Sequence, residues 1–226
     1  MEKIIPDFKE PSLKSILYFE FKSYFGRKFY KKRMKFPKPT FNPYLVDVGV
    51  GANYTKGWVH IDFFTFRLIK FWKKKKGNKP EVEMDLRFPF NCPDNICDGV
   101  YSSHTIEHLY PDKAYQLLSE IFRLLKPNAW LRISVPDLER LVKFYNNEVV
   151  LQEYICGAEA ISHCTQNWGH HSAWDEELLT YALKTIGFVN IRKVEYGIEG
   201  NDSRLIKEQE SRKEESLIME AQKPKY

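Results

Sequence analysis

From Tyr44 onward, short apolar runs of strand length alternate with longer stretches in which apolar residues recur at the spacing of a helix. Pro111 opens one helical pattern, Asp137 can cap a second, and residues 172–175 begin a third, which ends at Gly187. A chain in which strands alternate with helices forms a mostly parallel sheet with helices on both faces. The sequence therefore predicts an α/β fold, with strands at 44–48, 58–61, 81–84, 99–102, 130–135, 188–191 and 217–220.

Residues 1–40 differ in composition from the rest, with eleven Lys and Arg against four Asp and Glu. The apolar residues in this segment are spaced as on an amphipathic helix. We therefore expect a basic N-terminal accessory arm at 1–40, followed by one domain at 41–226. The apolar positions predicted for the helix are Leu13, Ile16, Leu17, Phe19 and Phe21.

The net charge of the chain is +5, and its excess of basic residues lies in two segments. These are the arm and the stretch 67–79, which contains the run Lys73–Lys76. Such segments can bind phosphates, but runs of charge are more often solvated loops, so we expect no nucleic-acid partner. The chain has no apolar run long enough to span a bilayer, and its first residues lack the features of a secretory signal. We therefore expect a cytoplasmic protein.

A glycine-containing loop follows the first predicted strand, in the stretch Val46-Asp47-Val48-Gly49-Val50-Gly51-Ala52-Asn53. Glycines at this place let the backbone pass close to a ligand at the carboxyl edge of the sheet. The dinucleotide fingerprint G-x-G-x-x-G is incomplete because Tyr54 stands at the third glycine, and the phosphate-binding P-loop is absent. The loop therefore indicates a ligand without naming it.

Acidic residues end three successive predicted strands: Asp47, Asp62 and Asp85. Carboxylates repel phosphates but accept hydrogen bonds from hydroxyl and amino groups and attract cations. S-adenosylmethionine carries a sulfonium, an ammonium, a ribose diol and an adenine amine, so it suits such a site. The alternative is that each aspartate caps a turn, but three at successive strand ends favour a ligand site.

The chain resembles the class I S-adenosylmethionine-dependent methyltransferases, and most of all predicted small methyltransferases with the pattern G-x-G-x-N…G-W-x-x-I-D. The blocks that carry the resemblance occur in order between about residues 44 and 224, and leave the arm outside. They are 49–53, Gly57-Trp58-Val59-His60-Ile61-Asp62, 85–90, 98–104, Glu107-His108-Leu109, 120–127, 135–138, 174–178, Gly187-Phe188, 215–217 and Glu220-Ala221.

This resemblance implies a Rossmann-like seven-stranded sheet whose last strand is antiparallel. It also implies that Gly49 and Gly51 border the methionine end of the cofactor and that Asp62 binds the ribose. Asp85 and Leu86 would flank the adenine, and residues 102–104 would face the transferred methyl group. The full cofactor-binding set expected is Asp47, Gly49, Gly51, Asn53, Asp62, Asp85, Leu86, Ser102 and Ser103.

Two departures from the family pattern have structural consequences. The usual lysine-proline-glycine-glycine turn is Lys126-Pro127-Asn128-Ala129 here, and asparagine can adopt the left-handed conformation that the turn needs. The connection from Gly49 to Trp58 is short for a parallel crossover, so we expect a crossover helix of only about one turn there.

His104 follows the fourth predicted strand, where the acceptor is expected, and is our first candidate for a general base. The second is His171, in an irregular stretch at 147–174 that we interpret as a substrate cap. His104, Glu107 and His108 resemble part of the E-x-x-E-H metal cluster of ubiquinone-biosynthesis methyltransferases, but the set is incomplete, so we expect no metal. We interpret Glu107 and His108 as helix capping and packing.

The sequence thus predicts an S-adenosylmethionine-dependent methyltransferase that acts on a small-molecule or saccharide acceptor. The first alternative is an RNA or other nucleic-acid methyltransferase that docks through the arm and Lys73–Lys76. Ser102-Ser103-His104 stands where the [DNS]-P-P-[YFW] signature of base amino-methylation would lie, which argues against that alternative. The second alternative is a cofactor-binding protein without catalysis.

Overall fold

The computed structural model describes residues 11–38, 42–64, 79–198 and 200–225. Seven strands form a sheet in the order β3-β2-β1-β4-β5-β7-β6, in which β7 is antiparallel to both neighbours and the other pairs are parallel. The predicted fold class is therefore confirmed. The strands are β1 Leu45–Val48, β2 Val59–Asp62, β3 Val82–Glu83, β4 Cys97–Ser103, β5 Leu125–Pro136, β6 Val189–Lys193 and β7 Ser216–Gln222.

Five α-helices accompany the sheet in the described residues: α1 Leu13–Phe29, α2 Pro111–Leu124, α3 Leu138–Tyr145, α4 Gly157–Gln166 and α5 Glu176–Ile186. The cap predicted at Asp137 is confirmed, because its side chain accepts a hydrogen bond from the Arg140 N–H in the first turn of α3. α5 begins at Glu176, later than predicted, and Asp175 caps it by accepting a hydrogen bond from the Leu178 N–H. Among the described residues, no helix has the length and hydropathy needed to cross a membrane. The run Lys73–Lys76 lies outside the described residues.

One face of the sheet packs on α2 and α5. Val46, Val48 and Leu131 of the central strands belong to one continuous hydrophobic core with Leu117 of α2 and Leu183 of α5. The apolar periodicity that predicted α2 is the reason, since it places a full stripe of the helix against the sheet. This packing holds the carboxyl ends of β1, β2 and β4 at one edge.

The opposite face carries charged side chains under the chain segment 200–215. Arg132 of β5 is fully buried, and its guanidinium bonds Glu208 and Glu220, the latter at 2.8 Å between Nη1 and Oε1. Lys207 bonds Asp47 of β1 on the same face. Because a buried charge without its partner is costly, these pairs fix the segment on the sheet.

α1 packs on the domain through its small residues, which the sequence did not predict. Apolar residues predicted for the amphipathic helix are exposed, with Leu13 at 72% and Leu17 at 61% of their full accessibility. The buried positions are Ser23 and Gly26. A Cβ on Gly26 would lie 2.5 Å from the Phe64 ring, so the helix approaches closely because this residue has no side chain.

Three connections between strands and helices can be compared with the sequence predictions. Asn128 has φ of 65°, so the left-handed conformation expected at the departure from the family turn is present. The connection at 49–58 contains turns and no helix, so the crossover helix of about one turn expected there is wrong. The ten residues between the two parallel strands leave no room for it. The stretch 147–174, expected to be irregular, contains α4 and a 3-10 turn at 167–169. α4 buries only Ala160 and Cys164, which is too weak an apolar stripe to be recognised in the sequence.

Gly26→Ala tests how α1 is held. Alanine raises helix propensity by about 1 kcal/mol, but the clash with the buried Phe64 ring costs about 1–3 kcal/mol. We expect lower thermal stability, measured by calorimetry. Leu17→Ala on the exposed side of α1 is the matched control and should leave the melting temperature within about 1 °C. If Leu17→Ala lowered the melting temperature more than Gly26→Ala did, α1 would instead pack through its apolar residues.

Candidate functional site at the carboxyl edge of the sheet

The two glycines of the loop after β1 serve different purposes. Gly49 has φ of 76°, and a Cβ there would lie 2.1 Å from Oγ1 of Thr105, so no side chain fits between the loop and the chain after β4. Gly51 has φ of 57°, and a Cβ there would meet nothing within 4 Å. Gly49 is thus required by packing, whereas Gly51 borders open space in which a ligand can approach the backbone.

Asp62 ends β2 directly below this loop. Its Oδ2 accepts a hydrogen bond of 2.8 Å from the Gly51 N–H, and its Oδ1 accepts one of 2.6 Å from the Phe63 N–H. Burial raises the pKa of Asp62, although the two backbone donors oppose this shift. Each carboxylate oxygen has a second lone pair. Asp62 is therefore oriented by the loop and can accept two further hydrogen bonds from a diol.

Asp85 is already engaged by protein groups. Ser23 of α1 donates to Oδ2 at 2.5 Å, and Arg87 donates to the same oxygen at 2.7 Å through Nη2. Burial opposes ionisation, but the hydrogen bonds from Arg87 and Ser23 hold the pKa of Asp85 below its ordinary value. Glu20 of α1 bonds the same guanidinium. The arm thus reaches the place expected for the adenine, where the half-buried Leu86 adjoins Asp85.

Asp47 lies on the charged face of the sheet, bonded to Lys207. The Lys207 ammonium also lies 4.2 Å from the Trp58 ring centroid and 5.4 Å from that of Tyr101. Burial raises the pKa of Asp47 in spite of this cation. The carboxylate therefore helps to anchor the segment 200–215. Lys207 is 160 positions away in sequence, and no local pattern indicated the pair.

Side chains at the end of β4 tie it to the end of β1. Ser102 donates to the Val48 carbonyl at 3.1 Å, and Thr105 donates to the same oxygen at 3.2 Å. Ser103 accepts a hydrogen bond of 2.8 Å from Ser134 of β5. Asn53 is exposed at the far end of the glycine loop. The structure therefore places the Ser102 hydroxyl at the start of the glycine loop, whereas the Ser103 hydroxyl lies beside β5.

His104 is buried at the junction of β4 and β7. Its backbone has φ of 48°, and its Nε2 lies 2.7 Å from the Ser216 hydroxyl. Burial lowers the pKa of His104 to about 3, so the imidazole is neutral at cellular pH. It is a much weaker base than an exposed histidine, and its Nε2 already has a partner.

His171 lies at the surface, where the cap returns to the end of β4. Its ring stacks on Tyr110, with centroids 4.3 Å apart and planes 14° apart. The His171 and Ser172 N–H groups both donate to the Glu107 carbonyl, at 2.8 and 3.2 Å. Sequence analysis missed Tyr110, an exposed aromatic residue before α2. The structure thus places the second candidate base on an aromatic surface beside the β4 edge.

Glu107 packs as expected but does not cap α2, so the capping interpretation is wrong. The carboxylate is buried on a 3-10 turn at 106–108, and among the described residues neither oxygen has a hydrogen-bond partner. Burial raises the pKa of Glu107 to about 8. Near it lie Nδ1 of His104 at 3.5 Å and Nε2 of His108 at 4.0 Å, both measured from Oε1.

Comparison with known proteins gives this geometry a chemical class. Residues 47–133, from β1 to β5, match the model of a family described as a methyltransferase domain. The segment that contains the site is therefore similar to a methyltransferase domain. It includes the glycine loop, the end of β2 and the end of β4. The chain matches no curated protein in sequence.

Solved structures share its fold at low sequence identity. A putative methyltransferase from Haloferax volcanii, solved with the Trm112 activator, is 14% identical over 96% of this chain and 99% of that chain, with a TM-score of 0.50. An Archaeoglobus fulgidus methyltransferase is 20% identical over 90% and 94% of the two chains (TM-score 0.48). Human N-acetylserotonin methyltransferase, in complex with the cofactor, is 13% identical over 93% and 54% (TM-score 0.48).

The side chains at this edge fit S-adenosylmethionine. The space above Gly51 accepts a ligand against the backbone, and the free lone pairs of Asp62 match the ribose hydroxyls. Asp85 does not fit the role of an unengaged acceptor for the adenine amine, since Ser23 and Arg87 bond its oxygens.

Asp62→Ala tests the cofactor site. Loss of the carboxylate should weaken S-adenosylmethionine binding by about 1.5–3 kcal/mol, because hydrogen bonds to a charged group are lost. Isothermal titration calorimetry measures the affinity, and circular dichroism checks the fold. Asp112→Ala, at an exposed aspartate of α2, is the matched control and should bind normally. An unchanged affinity in Asp62→Ala would remove this residue from the site.

Proposed function

We propose that the enzyme methylates a small-molecule or sugar-containing acceptor that binds between the β4 edge and the cap. The main support is the contact between the end of the cap and this edge, where the His171 and Ser172 N–H groups donate to the Glu107 carbonyl. This contact places the stacked pair of Tyr110 and His171 at the surface. Aromatic faces beside polar groups suit the apolar faces and hydroxyls of a sugar. The N-terminal blocks at 49–53 and 57–62 further support placing the chain among small methyltransferases with the G-x-G-x-N…G-W-x-x-I-D pattern.

In this proposal the cofactor lies over the glycine loop. Asp62 accepts the ribose hydroxyls, Gly49 and Gly51 shape the methionine end, and the chain at Asn53 borders the loop. Ser102 and Ser103 lie on the methyl side. Asp47 and Asp85 act indirectly, since Lys207 and Arg87 bond their carboxylates and thereby hold the surrounding chain.

The arm then belongs to the cofactor site. Phe19 of α1 stacks on Phe63, with ring centroids 4.3 Å apart, directly after Asp62. Arg87 connects Glu20 of α1 to Asp85. We therefore assign residues 1–40 to an accessory arm that closes the adenine side of a methyltransferase domain at 41–226, with the cap at 147–174.

Methyl transfer requires little covalent chemistry from the protein. When bound, S-adenosylmethionine supplies an electrophilic methyl group on a sulfonium. The residues of the β4 edge and the cap orient the acceptor and exclude water, which accounts for most of the rate when the reacting atoms are held in line. An acceptor hydroxyl also needs a base for its proton. His104 and His171 are the candidates, and exposure ranks His171 first because His104 is buried, bonded to Ser216 and weakly basic.

The contacts of the arm favour a small acceptor over a nucleic acid. Arg27 lies over the Phe88 ring at 3.7 Å, and Lys22 lies 5.2 Å from the Phe63 centroid. Arg33 pairs with Glu83 at 3.0 Å. Basic groups that already contact rings and carboxylates are less available to the phosphates of an RNA.

A screen with isotopically labelled S-adenosylmethionine tests the acceptor class. The full-length enzyme is incubated with nucleotide sugars, polysaccharide precursors, small phenols and amines, and RNA. We expect label in a small or sugar-containing acceptor, and Asp62→Ala serves as the control for background. Label in RNA alone, together with nanomolar RNA binding at physiological salt, would replace this proposal with nucleic-acid methylation.

Two single variants identify the base once the screen has supplied an acceptor. His171→Ala should lower kcat by roughly a hundredfold with normal cofactor affinity, as expected for loss of a general base. His104→Ala should mainly lower the melting temperature, because it removes a buried side chain bonded to Ser216. A hundredfold loss of kcat in His104→Ala, with His171→Ala fully active, would reverse the ranking.

A further inference from the structure

Glu107, His108 and His170 form a cluster where the chain after β4 meets the cap. Each offers one ligand atom, and these three atoms lie within 4.8 Å of one another. The imidazole rings of His108 and His170 meet edge to face, with centroids 4.7 Å apart. Glu107 and His108 come from the turn at 106–108, where the sequence already resembles part of a metal cluster. His170 lies 62 positions later, and sequence spacing gave no sign that it joins them.

The hydrogen bonds of His170 prepare one ring nitrogen for a ligand. Its Nδ1 lies 2.6 Å from the carbonyl oxygen of Cys164, which can only accept, so Nδ1 carries the proton. The neutral ring then has an unprotonated Nε2. A histidine that ligates a metal commonly donates its other ring N–H to a backbone carbonyl, which fixes the tautomer and the ring orientation.

Glu107 gives an independent indication of a ligand. Its side chain is 1% exposed, and neither carboxylate oxygen accepts a hydrogen bond from another residue in the part of the chain that the structure describes. A buried carboxyl normally has hydrogen-bond partners, because it loses its hydration on burial. Helix capping, the role expected from the sequence, does not account for it.

We propose that Glu107, His108 and His170 bind a divalent transition-metal ion, with zinc as the representative. Two imidazoles and one carboxylate form a known catalytic zinc set, in which the fourth position is open. Ligand atoms around tetrahedral zinc lie roughly 3.4 Å apart. Side-chain rotations that move each ligand atom by about 1 Å would bring the three atoms to this separation around the ion. The ion would give Glu107 a partner and join the cap to the β4 edge.

The charges around the cluster are compatible with a cation. His104 places Nδ1 3.5 Å from Glu107 Oε1, where its N–H can orient the ligating carboxylate. Arg212 lies close enough to oppose a cation, but its guanidinium pairs with Glu215 at 3.6 Å. Cys164 contributes its backbone carbonyl to His170, so the set needs no thiolate.

An open coordination position here would face the edge at which the acceptor is proposed to bind. If the proposed function is correct, the ion can hold an acceptor oxygen and lower its pKa, which reduces the demand on a general base. The binding of the metal itself does not depend on the identity of the acceptor.

Metal content of the full chain tests the site directly. The protein is stripped with a chelator, reconstituted with zinc, dialysed and analysed by inductively coupled plasma mass spectrometry, and titrated calorimetrically with ZnCl2. We expect one zinc per chain and a higher melting temperature in its presence. Glu107→Gln, His108→Ala and His170→Ala should each weaken zinc binding at least tenfold.

His171→Ala is the matched control, because it removes an exposed histidine next to His170 that lies outside the cluster. It should keep full zinc binding even if it loses activity, so failure of the metal site and failure of the proposed base are distinguishable. Circular dichroism verifies the fold of each variant. The Co²⁺ derivative of the wild type should lack a thiolate charge-transfer band.

Three results would overturn the proposal. The first is no zinc above background in the wild type, and the second is a charge-transfer band that assigns the metal to a cysteine. The third is unchanged zinc affinity in folded Glu107→Gln and His170→Ala. The Gln variant matters most here, because it keeps the volume of the buried side chain.

Discussion

The contact between β1 and β4 is the constraint on which the site depends. Two hydroxyls, from Ser102 and Thr105, donate to the carbonyl of Val48 immediately before the glycine loop. Gly49 lies so close to Thr105 that any side chain would overlap it. The loop and the chain after β4 are therefore built against each other. A shift of either one would displace the proposed cofactor surface and the proposed acceptor surface together.

After this contact the chain continues into a segment whose side-chain contacts the sequence did not predict. Residues 104–110 pass beneath the cap and carry a neutral buried histidine, a carboxyl without a hydrogen-bond partner among the described residues, and an exposed tyrosine stacked on His171. The cap returns to this segment through hydrogen bonds to the Glu107 carbonyl. Buried polar groups are costly unless satisfied, so their concentration here is more easily explained by a ligand than by stability.

Polar contacts also decide how the outer segments attach. α1 approaches through Gly26 and Ser23 and leaves its large apolar residues exposed, because Asp85 and the Phe64 ring offer a close polar and aromatic surface. The segment 200–215 is held by Lys207 on Asp47 and by Glu208 on Arg132. Breaking such a buried pair leaves an uncompensated charge, so each pair specifies one arrangement of the chain.

The sequence by itself predicted the seven strands, every α-helix except α4, the α/β class and the cofactor. Apolar periodicity depends on local residues, and the blocks around Gly49, Asp62 and Glu107 are contiguous in the chain. Only the tertiary structure decided which carboxylates are already paired, which face of α1 packs, and that His170 joins Glu107 and His108. Most of these facts depend on contacts between distant residues, such as Ser23 with Asp85, 62 positions apart, and Asp47 with Lys207, 160 positions apart. Side-chain pairing over such separations leaves no periodic trace in one sequence.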